Sequence, residues 1–325
     1  MFYKDAGVDI NALNLIKKGI GKEVTKTFQK RIKSEFGLFG SIYPLGHDYL
    51  VSSVDSVGTK ILVACAVGIH NTVGFDIVNH CVNDILTTGA LPLFFMDYIG
   101  FSQLGKNILL EIIKGLAQAC KKEKIILIGG ETAQLRKFYP ANVFDLVGFI
   151  VGKVAQKNYI NPAKIRPGDI VLGLRSTGLH TNGYSLARRV LLRKYVFSSY
   201  IPELRCTLGE ELLKIHRSYR KDLESKLLYI SGLAHITGGG FYDNIKRILP
   251  HGCSAIIQKK LWEPLPIFRL IQNLGEVPDE EMYRVFNMGI GMTVVIRKKN
   301  LKYFKALKPN IIGEIVGDDF GVKVE

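Results

Sequence analysis

Several signatures are missing from this 325-residue chain, and each absence removes a class of protein. There is no CxxC pair, and the five cysteines (Cys65, Cys81, Cys120, Cys206 and Cys253) are odd in number. A disulfide framework or a structural zinc needs closely spaced, paired thiols, so these read as reduced thiols of a cytosolic protein. HExxH and GxSxG are both absent, which argues against a zinc hydrolase and a nucleophile-elbow hydrolase. No apolar run reaches the roughly 18–20 residues that cross a bilayer, so no membrane partner is expected. The opening residues, MFYKDAGVDI, lack the basic stretch and apolar core of a secretion signal, and no signal peptide is expected. No short-period repeat is visible, which argues against a solenoid.

What remains is globular in composition, with 47% hydrophobic and 22% charged residues. The length suits two domains with proper cores. The net charge of +15 (44 − 29) raises the question of nucleic acid. The basic residues, however, fall in short dispersed clusters: Lys121-Lys122, Arg188-Arg189 and Arg297-Lys298-Lys299. They are not interleaved with aromatics as a single-strand platform requires, so no nucleic-acid partner is expected.

The stretch 74–98, GFDIVNHCVNDILTTGALPLFFMDY, carries the clearest pattern. At helical period Ile77, Val78, Cys81, Val82 and Ile85 share one face, and Asp76, His80, Asn83, Asp84 and Thr87 share the other. A solvated helix face is usually furnished with Lys, Glu and Gln. This polar stripe has none of them. Its short acceptor-rich side chains suit a divalent cation with a phosphate ligand. The alternative is a partly buried helix that hydrogen-bonds its neighbours.

Other acids and glycines recur at junctions along the chain. A helix rich in lysine (Lys17, Lys18, Lys22, Lys26 and Lys30) leads to the glycine-bearing loop 36–40. The strand at 49–54 runs into Asp55-Ser56-Val57-Gly58-Thr59-Lys60, which reads either as a charged turn or as a phosphate and metal element. A buried strand is expected at 93–101, an amphipathic helix at 107–121, and a short strand at 125–128 ended by Gly129-Gly130-Glu131-Thr132. Asp55, Asp76, Asp84 and Glu131 are therefore candidates to converge. After a strand at 143–152, the turn residues of 161–169 mark a boundary, giving domains 1–164 and 165–325. In the second half, the strand 170–174 opens into Ser176-Thr177-Gly178-Leu179-His180-Thr181-Asn182-Gly183, a loop that starts a helix near Tyr184 and suits an anion. His180 there is a general base, a phosphate donor or a structural residue. Gly238-Gly239-Gly240 follow LAHIT and precede a helix, implying close backbone approach. A helix at 264–274, an exposed acidic turn at 279–281, and strands at 286–296 and 311–317 complete the pattern.

Eight ordered blocks carry a resemblance: YKDAGVDI, SVDSVGTK, CVNDILTTGALPLFFMDY, GGETA, STGLHTNGYS, AHITGGGF, NIKRILP and EMYRVFNMGIGM. Together they resemble the phosphoribosylformylglycinamidine cyclo-ligase (AIR synthetase) family, in order over about residues 3–317. The resemblance implies a mixed α+β chain: an N-terminal α/β ATP-binding domain that dimerises through its sheet, and a C-terminal domain of ferredoxin-like character. It implies an ATP-dependent closure of formylglycinamidine ribonucleotide to aminoimidazole ribonucleotide in purine biosynthesis, with phosphorylation of the formyl amide oxygen before ring closure. The implied cofactors are ATP and Mg²⁺, and the implied assembly is a homodimer. By the same resemblance Asp55, Asp76 and Asp84 hold the metal, and Gly58, Thr59, Lys60, Asn83 and Glu131 serve the nucleotide. His180 and Asn182 handle substrate with Asp84, and Gly238, Gly239 and Gly240 offer backbone donors to a ribose phosphate.

The sequence departs from the family at three places. Ser56 stands where glycine is usual, which requires a negative φ there. Gln134-Leu135-Arg136-Lys137-Phe138-Tyr139 replaces the usual EMPGMY, and Gly21 falls near a lysine associated with the nucleotide in some members. The rivals are a sister ATP-dependent kinase of the superfamily and a non-catalytic or nucleic-acid-binding paralogue. No cysteine precedes Cys65, unlike selenophosphate synthesis, and His235 before the ITG element fits the cyclo-ligase better.

Overall fold

The computed structural model describes residues 1–29, 32 and 36–325; Lys30, expected on the first helix, lies outside them. Helix α1 (Ile10–Thr25) is capped by Asp9, whose carboxylate accepts from the Ala12 N–H. There follow β1 (Ser41–Leu45), β2 (Asp48–Ser56), α2 (Ile61–Val67), α3 (Asn71–Leu86), β3 (Leu91–Phe101), α4 (Lys106–Glu123), β4 (Ile126–Gln134) and β5 (Phe144–Ala155). The five strands form one sheet in the order β1-β2-β5-β3-β4, antiparallel except for β3 with β4.

Helix α3 is the axis of this half. Its apolar residues Ile77, Val78, Cys81, Val82 and Ile85 are all fully buried, as the helical period requires. It touches α4 backbone to backbone: a Cβ at Gly115 would lie 2.0 Å from the Asn71 carbonyl oxygen, and one at Gly74 would lie 2.4 Å from the Leu116 nitrogen.

Two strand expectations need correction. Strand β3 is not buried on both sides, because Leu93 (44%) and Met96 (38%) are exposed on the outer face of the sheet. Strand β4 does not end at Ile128. It pairs with β3 through Gln134, with a register shift after Leu127, so Gly129–Thr132 lies inside the strand. The glycines there accommodate an irregular ladder and do not mark a strand end.

The second sheet comes from β6 (Ile170–Arg175), β9 (Ile230–His235), β10 (Ser254–Ile257), β11 (Ile290–Ile296), β12 (Asn310–Val316) and β13 (Val322–Val324), a short hairpin of β7 (Tyr200–Ile201) and β8 (Cys206–Thr207) standing apart. The order is β13-β10-β12-β6-β11-β9, antiparallel except for β10 with β13. Its helices are α5 (Tyr184–Leu191), α6 (Leu208–Leu212), α7 (Arg220–Leu223), α8 (Gly240–Lys246), α9 (Pro266–Gly275) and α10 (Asp279–Val285). Every residue of β11 is buried because the strand feeds two cores: Ile290 and Val295 join one, while Met292, Val294 and Ile296 join the other. That explains a strand that reads as continuously apolar. The acidic run at 279–281 is not a turn; it forms the first turn of α10, where carboxylates complement the helix dipole.

The expected mixed α+β class and two-domain architecture are observed. The halves are closely joined. Leu86, at the end of α3, packs in the core of the second sheet, and the Met1 amino group donates to the Gly275 carbonyl at 3.1 Å.

Candidate active site

The polar stripe of α3 faces the second domain, and it divides into two parts with different duties. The first part holds a crossing segment of backbone, residues 214–219. Lys60 Nζ donates to the Lys214 carbonyl at 2.7 Å, and the His216 N–H donates to Asp76 Oδ1 at 2.8 Å. Asn79 donates to the His216 carbonyl at 2.6 Å, Asn83 donates to the Arg217 carbonyl at 2.8 Å, and the Tyr219 N–H donates to Asn83 Oδ1 at 2.9 Å. An irregular segment buried between two domains leaves its peptide groups without water, and these side chains take water's place. Lys60 and Asp76 also pair with each other at 2.7 Å, both at 0% exposure. Burial lowers the Lys60 ammonium and raises the Asp76 carboxyl against the pull of their pairing.

The second part of the stripe is a cluster of acids and imidazoles. His80 Nε2 stands 2.9 Å from Asp55 Oδ2 at the end of β2 and 3.6 Å from Asp84 Oδ2, one helical turn along α3. Its other nitrogen meets Thr181 Oγ1 at 2.9 Å, and Ser53 Oγ donates to Asp84 Oδ2 at 3.1 Å. Burial presses the His80 imidazole towards neutrality, but the Asp55 and Asp84 carboxylates outweigh it and push the group up to about 9. Burial alone would raise Asp55; the facing imidazole instead holds its carboxyl below the usual value. Asp55 and Asp84 thus face the same buried imidazole, and the ligand atoms of His80, Asp84 and His235 all lie within 4.8 Å of one another, a set that could hold a cation.

A chain of imidazoles continues from this cluster. His235 Nδ1 meets Asp84 Oδ1 at 2.7 Å, and its Nε2 lies 2.9 Å from His216 Nε2. His216 stacks on His180 at 4.0 Å between ring centres. Burial depresses all three rings, with Asp84 opposing the effect at His235. His216 and His235 can share a proton through their Nε2 contact, whereas His180 is joined to them by stacking alone. His180 sits at φ 63°, a conformation non-glycine residues rarely adopt, and its buried Nδ1 has no hydrogen-bond partner among the described residues.

The glycine elements differ in purpose. Gly58 adopts φ 68° in the turn after β2, and Thr59 beside it meets Ser185 Oγ at 3.2 Å. Ser56 avoids the left-handed region, so serine there brings no strain. Gly239 and Gly240 are buried, and a Cβ at Gly240 would lie 2.0 Å from the Tyr283 carbonyl oxygen. Close packing on α10 accounts for that glycine. Gly238 is exposed and faces Asn182, whose Oδ1 would lie 3.2 Å from an added Cβ. A groove of about 780 Å³ runs between α1, the loop 36–40 and α8, lined by Lys17, Phe36, Tyr43, Val54, Asp243 and Arg247. Burial lowers the Arg247 guanidinium, and the charges of Asp84, Asp243 and Asp55 act against that.

Residues 40–154 match the family model described as AIR synthase related protein, N-terminal domain, and residues 166–325 match its C-terminal domain. The phosphoribosylformylglycinamidine cyclo-ligase of Caldanaerobacter subterraneus subsp. tengcongensis is 46% identical over 334 residues, covering 99% of each chain. The chain belongs to the phosphoribosylformylglycinamidine cyclo-ligase family. The cyclo-ligase of Caldicellulosiruptor saccharolyticus is 47% identical, covering 92% of this chain and 91% of its own. In fold the chain is similar to the solved structure of AaThiL complexed with AMPPCP and TMP, at 16% identity and a TM-score of 0.68, covering 95% of this chain and 93% of that one.

Set against the residues that the cyclo-ligase resemblance singles out, the structure brings some together and leaves others apart. Asp55 and Asp84 meet around His80, and His180 and Asn182 lie in the loop before α5. Asp76, Lys60 and Asn83 are turned to the crossing segment. Glu131 is exposed and set apart: Asp55, Gly148, Asp97 and Gly130 form one cross-strand row, and Glu131 is the next residue. Successive strand side chains alternate faces, so Glu131 points to the outer face and Asp55 to the α3 face. Asp97, which the sequence did not single out, shares the Asp55 row, and burial pushes its carboxyl up to about 6. His80 is visible on the stripe without a role, although its spacing of four to Asp84 is a signal. His216 carries no signal, since no motif surrounds it.

Proposed function

We propose that this chain uses ATP to close formylglycinamidine ribonucleotide into aminoimidazole ribonucleotide, releasing ADP and phosphate, in the cytoplasm. The observation that carries the proposal is the convergence of Asp55 and Asp84 with the imidazole chain His235–His216–His180, in a chain whose relatives at 46–47% identity are cyclo-ligases. The formyl amide oxygen attacks the γ-phosphorus, forming a P–O bond as the bond to ADP breaks. An amidine nitrogen then attacks the former formyl carbon, a C–N bond forms, phosphate leaves, and the ring aromatises by losing protons.

In this reading Asp55 and Asp84 hold Mg²⁺, which supplies charge neutralisation to the phosphates. The groove beside Arg247 takes ATP; its volume of about 780 Å³ suits a nucleotide, and the glycine-bearing loop 36–40 borders it. Gly58 and Thr59, at the mouth of the cluster, offer backbone donors to phosphate. His180 takes the amidine proton, being neutral and backed by the stacked His216. Asn182 and the exposed Gly238 hold the substrate, whose ribose phosphate needs neutral donors there. Lys60 and Asp76 support this site by fixing the segment that carries His216. We place the domain boundary at 164/165, in the turn-rich connection between the sheets. The partner is a second copy, docked on the outer face of the first sheet. Val54, Phe149 and Met96 lie there in one cross-strand row, with Ile126 and Ile128 alongside on the edge strand β4 at 66% and 61% exposure.

Purified protein incubated with formylglycinamidine ribonucleotide, ATP and Mg²⁺ is expected to release ADP and diazotisable aminoimidazole product in equal amounts, and to sediment as a dimer. ADP without the imidazole would instead mark a sister kinase or an uncoupled ATPase.

A further inference from the structure

We infer that Asn287 is the positioning residue of the loop 176–183, holding it in the shape that presents His180 and Asn182. This rests on the reading above in which that loop serves formylglycinamidine ribonucleotide. Asn287 lies in the turn between α10 and β11, within the glycine-rich strand entry to which the reaction gives no task. It is 3% exposed, and both polar atoms of its side chain are engaged. The Gly289 N–H donates to Asn287 Oδ1 at 2.9 Å, which shapes the turn itself. The remaining contacts cross to the loop. The Ser176 hydroxyl donates to the same Oδ1 at 2.9 Å, and Asn287 Nδ2 donates to the Gly178 carbonyl at 2.9 Å.

The link is needed because the strand ladder stops here. Strands β6 and β11 pair as far as Arg175 and Ile290, where the register shifts. One further bond joins the Ser176 N–H to the Gly289 carbonyl at 2.9 Å. Residues 177–183 lie outside the sheet, and the Asn287 amide supplies the donor and acceptor that a ladder would have given. The same turn seats His180. A Cβ at Gly291 would lie 2.5 Å from His180 Cε1, so the ring rests on bare backbone of β11. His180 keeps its left-handed φ of 63°, a conformation that persists only where the surroundings over-determine it. Asn287 at the start of the loop and Gly291 beneath the ring provide that constraint. Without the amide, Gly178 loses its anchor and His180 can relax towards negative φ, carrying Asn182 with it.

The test is steady-state kinetics of the full chain as Asn287→Ala, Ser176→Ala and the double variant, with AMPPCP binding measured alongside. For Asn287→Ala, kcat/KM for formylglycinamidine ribonucleotide should fall about tenfold to a hundredfold, the scale of misplacing a group by about 1 Å. AMPPCP should bind within about twofold of the parent, because no residue of this loop lines the nucleotide groove. Ser176→Ala removes the same bond from the loop side and leaves the β11 turn intact, so it should show the same pattern at smaller size. The double variant should be close to Asn287→Ala, since both changes break one link. An unchanged kcat/KM, or ribonucleotide and AMPPCP affinities lost in parallel, would overturn the inference. Losses that simply multiply in the double variant would overturn it too. If Asn287→Ala does not fold, Ser176→Ala decides the matter by the same two readouts. A parent chain that forms no imidazole would instead overturn the cyclo-ligase reading, and this inference with it.

Discussion

Replacing Lys60 by methionine is expected to destabilise the protein by about 3–5 kcal/mol, the usual consequence of removing one partner of a buried ion pair. Lys60 and Asp76 are both fully buried and pair at 2.7 Å, and Asp76 also accepts the His216 N–H. With methionine at position 60, no cation balances the carboxylate, and the 214–219 segment loses its bond from Lys60 to the Lys214 carbonyl. The loss should be read as a lowered denaturation midpoint with little change in slope. It should also depend on pH in a stated direction. Burial already raises the Asp76 carboxyl, and removing the ammonium raises it further. A carboxyl that keeps its proton in the fold but loses it on unfolding contributes less stability as pH rises above about 4. The variant should therefore be more damaged at pH 8 than at pH 5. The double variant Lys60→Met with Asp76→Leu should recover part of the loss, because no buried charge is left. A single variant within about 1 kcal/mol of the parent would contradict a supporting role for the pair.

Asp84→Asn is expected to lower turnover by at least about a hundredfold, the scale of losing one preorganised electrostatic stabiliser of the transition state. Asp84 connects the cluster. Its Oδ2 faces His80 and Ser53, and its Oδ1 faces His235. The amide keeps the size and one acceptor but removes the charge that opposes a metal or imidazolium, so the chain should fold while charge stabilisation fails. The measurement is the steady-state rate of ADP and imidazole formation together, with the folded state checked by thermal melting. An Asp84→Asn protein that turns over within about fivefold of the parent would place phosphoryl transfer elsewhere.

Much of the fold was legible because period and burial agree. The apolar face of α3 at Ile77, Val78, Cys81, Val82 and Ile85 is buried as its spacing indicates. Strands β2, β5 and β6 fall close to where apolar runs and turn residues place them. Strand β4 departs because Gly129 and Gly130 resemble a strand end, while a register shift against β3 lets the strand continue through them. Local sequence cannot report a ladder made with a distant partner. The same limit applies to the site. The stripe on α3 is recognisably unlike a solvated surface, and part of it hydrogen-bonds its neighbours, as one of its two explanations has it. Asp76, Asn79 and Asn83 bind the backbone of residues 214–219, a segment without a motif that only the fold brings to them. His80 and Asp84 are left for the cluster with Asp55. Glu131 matches by resemblance, yet the alternation along β4 turns it to the other side of the sheet.

In the proposed reaction the formyl oxygen receives the γ-phosphoryl group and leaves with it when the ring closes. Formylglycinamidine ribonucleotide carrying ¹⁸O in the formyl group tests this directly, with the phosphate product examined by ³¹P NMR. One ¹⁸O is expected in each phosphate released, matched by one aminoimidazole formed. Unlabelled phosphate, with the ¹⁸O recovered in water, would mean that ATP is hydrolysed separately from cyclisation and would contradict the account.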